Sequence, residues 1–172
     1  MPLYPLHILM LAIAAIAAIT DTRSGLIPNW ITLPAIAIGP IYYLFLSPNA
    51  ALQSALAVVV VGLVPYLMFR SGSMGGGDVK LFAALGGLGG LTLGLESLLY
   101  CMMAAMVVAL ITMAFHGHLK VVLTNVWKIL SNPFLPKDRR KALDRSEMHQ
   151  LRLGVSILIG TAIALGYHYA II

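Results

Sequence analysis

"SGSMGGGDVKLF", residues 71–82, decides how the chain folds. In a soluble protein, three consecutive glycines and an aspartate would mark an ordinary loop. Here apolar runs stand on both sides, so Asp78 sits at the edge of a hydrophobic segment, where an ionised carboxylate is costly unless solvated or paired. The chain around it is 60% hydrophobic and 10% charged, with a mean hydropathy of +0.93. A soluble domain of 172 residues would need far more polar surface to cover its core. The composition therefore predicts an all-α polytopic membrane protein built as a single membrane-embedded domain over residues 1–172.

Apolar runs suited to spanning helices lie at roughly 3–20, 28–46, 51–69, 79–94, 96–115 and 152–171, which predicts six transmembrane helices. The first run has no Lys or Arg before it and ends at Asp21, so it reads as a retained span rather than a cleaved signal. The one cysteine, Cys101, lies inside an apolar run and allows neither a disulfide framework nor a CxxC zinc site within this chain.

Charge fixes the orientation. All eleven Lys and Arg fall in or beside the first, third or fifth connection, Arg23, Arg70 and Lys80 among them. The positive-inside rule makes those connections cytoplasmic and puts both termini outside a cytoplasmic (inner) membrane. Asp21 and Asp78 then lie on one side. The long connection, about 116–151, contains "LKVVLTNVWKIL", whose helical spacing of apolar residues predicts a helix lying in the cytoplasmic interface. "PKDRRKALDR" follows it, a topology signal also suited to anionic lipids; no nucleic-acid partner is expected.

Asp21 closes the first span within "ITDTRSGLIPNW", and Asp78 opens the fourth. Alone, Asp78 reads as a helix N-cap and Asp21 as a solvated loop acid beside Arg23. If the two span ends meet, the carboxyls can share one proton: one oxygen draws a proton from water while the other acid hydrogen-bonds the attacked carbonyl, with no metal or cofactor. Helix dipoles predict that Asp78, at a helix N-terminus, is the ionised partner and Asp21, at a C-terminus, the protonated one. Gly75, Gly76 and Gly77 are expected to adopt positive φ and let an extended peptide approach Asp78. Pro28 is expected to stiffen the first connection, Asn29 to satisfy loop backbone or meet a substrate carbonyl, and Lys80 to influence the pair. Gly86, Gly90 and Gly94, four residues apart, predict tight helix packing.

"DTRSGLIPNW" and "GGGDVKL" resemble the two signature segments of the prepilin peptidase family, the Gly-x-Gly-Asp membrane aspartic proteases. Asp21 and Asp78 match its catalytic aspartates, and "RLGVSILIG" is similar to the glycine-bearing segment opening the last helix of its short members, with Gly154 and Gly160 at the glycine positions. The resemblance implies cleavage of the short basic leader of type IV prepilins or pseudopilins after a glycine at the cytoplasmic membrane face. With one cysteine and no cysteine-rich cytoplasmic domain, the chain looks like the peptidase-only form associated with tight-adherence (Flp) pili, without methyltransferase activity.

The rival reading is a small proton- or cation-coupled transporter using the same aspartates. It would carry its acids near the midplane on broken or repeated helices, whereas these two lie at the cytoplasmic edge. His116 and His118 read as loop residues, and His7 and His168 as packing or interfacial groups. Trp30, Trp127, Tyr42, Tyr43, Tyr167 and Tyr169 are expected near the membrane boundaries.

Overall fold

The computed structural model describes residues 5–70, 74–116 and 153–171. Among them the regular structure is five helices: α1 Pro5–Ser24, α2 Asn29–Leu44, α3 Pro48–Arg70, α4 Gly76–His116 and α5 Gly154–Ile171. The chain divides into two units, one of residues 1–105 and 152–172 and a second of residues 106–151. Of the second, the described part is the end of α4, whose Val107, Leu110 and Ile111 are exposed. The interfacial helix expected in the long connection, together with His118 and Trp127, lies outside the described residues.

Three helical stretches are long and apolar enough to cross a membrane, Pro5–Ser24, Pro48–Arg70 and Gly76–Val108, and Gly154–Ala170 is a shorter apolar helix. Large apolar side chains such as Ile19, Leu33, Val59 and Leu63 stand exposed on the bundle. In lipid this arrangement carries no penalty, because the surrounding solvent is itself apolar and every helix satisfies its own main chain. Tyr42, Trp30 and Tyr167 are also exposed, consistent with interfacial anchoring.

The spans expected at 79–94 and 96–115 are one helix by hydrogen bonding, broken at Gly90 with φ 77° and ψ −177°. That conformation is open only to glycine. A Cβ on Gly94 would sit 2.8 Å from the Cα of Gly86. In a continuous helix, eight residues would separate the two by about 12 Å, so α4 doubles back at Gly90. The periodic glycines are therefore not one packing stripe: Gly90 is the turn, and Gly86 and Gly94 are the surfaces it presses together.

The first limb of α4 is the centre of the bundle. Gly86 packs on the Ala57 carbonyl and Val61 of α3, the Gly39 face of α2 meets the Gly87 carbonyl, and Gly89 lies against Met10 of α1. Ser54 Oγ donates to the Gly87 carbonyl at 2.7 Å. The second limb receives α5, whose Gly160 rests on the Cys101 main chain. α1 packs along α5 and more lightly along α2, and α2 along α3. Met10, Val61, Leu81, Phe82, Leu85, Leu88 and Ile157 are fully buried between them. At the far end of α1 and α5, the Tyr169 hydroxyl and His7 Nδ1 share a 2.6 Å hydrogen bond and the His7 and His168 rings meet edge to face, so these histidines pack the bundle.

Candidate active site

Asp21 lies one turn from the end of α1, and the helix closes just beyond it. Gly25, with φ 67°, donates its amide to the Asp21 carbonyl at 2.8 Å, the αL ending that lets a chain leave a helix sharply. Pro28 has φ −68° and ψ 141° and stands as the N-cap of α2, one residue before the helical position expected for it. The first connection is thus only four residues long, 25–28, as a stiff turn requires.

The start of α4 is packed against that turn. A Cβ on Gly77 would lie 3.0 Å from Ile27 Cβ and 3.3 Å from its carbonyl oxygen, so only glycine allows the two segments to approach this closely. Lys80 Nζ donates to Asn29 Oδ1 at 2.7 Å across the same junction. Positive φ in the described residues occurs at Gly25 and Gly90, not at Gly75, Gly76 or Gly77. The expectation for the glycine run is corrected accordingly: Gly76 and Gly77 are already helical, and the backbone that Gly77 admits is the protein's own α1–α2 turn.

Asp78 falls in the first turn of α4, not at its N-cap, and its carboxyl interacts with the Gly75 main chain. A side chain on Gly75 would come within 3.0 Å of Asp78 Oδ2. The contact of Gly77 with Ile27 brings the α1–α2 turn onto the start of α4, so the two acids, remote in sequence, share one end of the bundle. Asp21 is buried, 7% exposed, and is no solvated loop acid.

A third element closes the site. The Gly154 amide, at the N-terminus of α5, donates to Asp21 Oδ2 at 2.8 Å in a buried hydrogen bond. Asp21 therefore faces the N-terminal end of one helix while ending another. The expectation of a protonated Asp21 rested on the dipole of α1 alone, and the N-terminus of α5 opposes that dipole. Gly154 was legible as part of a glycine-bearing segment, but no side-chain signal tied it to Asp21. A groove lined by Tyr43, Gln53, Ser54 and Gly90 lies at the opposite end of the first limb and contains neither aspartate.

One helix C-terminus and two helix N-termini thus converge on a pair of carboxyls at the edge of an apolar bundle. No curated protein and no solved structure matches the chain. Residues 8–115, which contain both aspartates, match the model of the type IV leader peptidase family. The chain belongs to the type IV leader peptidase family, whose members are membrane proteases that act on type IV prepilins.

Proposed function

We propose that the protein is an aspartic endopeptidase that removes the short basic leader of Flp-like type IV prepilins or pseudopilins after a glycine, at the cytoplasmic face of the inner membrane. The observation that carries this reading is the convergence of the Asp21 and Asp78 segments at one end of the bundle, held by the packing of Gly77 on Ile27.

In this reading the pair holds one proton. The ionised carboxylate takes a proton from water as the water oxygen bonds to the scissile carbonyl carbon, while the acid passes its proton to the carbonyl oxygen, so the pair again holds one proton. Collapse of the tetrahedral diol breaks the C–N bond, and the leaving amine takes up a proton from the pair. Gly75, exposed beside Asp78, leaves room for an extended peptide, while Gly76 and Gly77 pack on Phe69 and Ile27 and hold the start of α4 in place. Pro28, Asn29 and Lys80 hold the two loops in register, Lys80 and Asn29 through their own hydrogen bond.

The fold-back at Gly90 supports counting the limbs of α4 as two passes, which gives six with α1, α2, α3 and α5. Together with the distribution of Lys and Arg, an even count puts both termini outside and the aspartates at the cytoplasmic edge. Co-expression with candidate prepilins, reading cleavage by gel shift, tests the proposal: Asp21→Asn and Asp78→Asn should each leave the precursor uncut. Full processing by either variant would remove the catalytic pair.

A further inference from the structure

The first residue of a helix ordinarily has no intrahelical partner for its amide, which turns to water or to a capping side chain. In α5 that residue is Gly154, because the Leu153 carbonyl already accepts from Ile157 at 2.9 Å. Its amide is buried and points at Asp21 Oδ2. The fit depends on glycine: a Cβ there would lie 2.7 Å from Asp21 Cβ, 2.9 Å from Oδ2 and 3.1 Å from Ala18 Cα. Gly154 also lies outside residues 8–115, so the family match says nothing of its part in the site.

We propose that the main-chain amide of Gly154 is a positioning donor that holds Asp21 Oδ2 and leaves Oδ1 to meet the reacting water. This rests on the reading of Asp21 as a catalytic acid. A free aspartate can turn about two side-chain torsions. A donor fixed in the frame of α5 removes that freedom, and α5 is itself seated by Gly160 on the Cys101 main chain. Reaction rates are sensitive to such placement, with about 100-fold lost for a misplacement of about 1 Å.

Proline isolates the donor. At a first helical position its fixed φ is tolerated and the missing amide is normally of no consequence, whereas here that amide is in use. Gly154→Ala and Gly154→Pro both add a Cβ beside Asp21, but only the second removes the N–H. The full chain in bilayer discs is assayed on a synthetic peptide bearing a short Lys-rich leader, a glycine and an apolar segment. Gly154→Ala should lower kcat about tenfold and Gly154→Pro about 100-fold, with KM within about twofold of the parent. Gly166→Ala, on the same helix with nothing within 4 Å of the added Cβ, should leave kcat per folded enzyme within about twofold.

Equal kcat for the alanine and proline variants would overturn the inference. If neither variant folds, [15N]glycine spectra decide it without them. The Gly154 amide proton should shift in Asp21→Asn, where a carboxamide replaces the carboxyl acceptor, and stay in place in Asp78→Asn. No movement in Asp21→Asn would refute the hydrogen bond. Cleavage by Asp21→Asn would instead refute the catalytic reading, so the two failures are distinguishable.

Discussion

Gly94 rests against Gly86, eight residues earlier in the same helix, with Val61 of α3 wedged beside both. Cβ atoms added to Gly86 would meet the Ala57 carbonyl at 2.6 Å and Val61 Cβ at 2.8 Å, neither of which can swing aside. Gly86→Ala and Gly94→Ala should therefore destabilise the protein by about 1–3 kcal/mol each through overpacking. Gly166→Ala, with nothing within 4 Å and an ordinary helical backbone, should instead stabilise by about 0.5–1 kcal/mol. Unfolding in mild detergent, compared across the three variants, checks both signs.

The two positive-φ glycines should respond differently to asparagine. Gly90 has open space around it but a ψ of −177°, outside the left-handed helical region that asparagine enters. Gly90→Ala and Gly90→Asn should both cost about 1–3 kcal/mol by strain alone. Gly25 closes α1 in the position where helices accept glycine or asparagine. Gly25→Asn should be nearly neutral and Gly25→Val should not, a contrast readable by unfolding of the four variants.

Lys80 and Asn29 join the two aspartate segments through a hydrogen bond exposed to solvent, so its worth to stability is small. A double-mutant cycle of Lys80→Met and Asn29→Ala should give a coupling of about 0.2–1 kcal/mol in unfolding. Peptide cleavage should fall further than that, several-fold in each single variant and no further in the double, because both remove one tie. Additive losses in rate would show that the residues act separately, for instance on the substrate.

Both aspartates were legible because the cue is local: a carboxylate at the end of an apolar run, one beside a glycine run and one before a Pro-Asn turn. Their convergence was an expectation that the Gly77–Ile27 contact explains. The doubling of α4 was half legible. Glycines four residues apart suit a straight packing stripe and a fold-back equally, and only the backbone angles of Gly90 separate the two. Gly154 could not be tied to Asp21 beforehand. The bond spans 133 residues and is made by a main-chain amide, a group almost every residue carries.

Ser54 separates the needs of the fold from those of the site. Its hydroxyl reaches the Gly87 carbonyl at 2.7 Å from within α3, buried at 2% exposure, at the turn end of the first limb of α4. Gly87 lies in the last turn before the break at Gly90, where helix carbonyls lose their ordinary main-chain partners, so the serine supplies a donor the break takes away, and the cost is that of one interhelical hydrogen bond. Ser54→Ala should lower stability by about 0.5–1.5 kcal/mol, toward the lower figure because polar groups in lipid find partners in the unfolded state as well. The aspartates lie at the other end of that limb, so cleavage per folded enzyme should be unchanged. A rate loss in Ser54→Ala beyond its folded fraction would mean that the turn end and the acid end of α4 move together, and that the first limb transmits strain along its length.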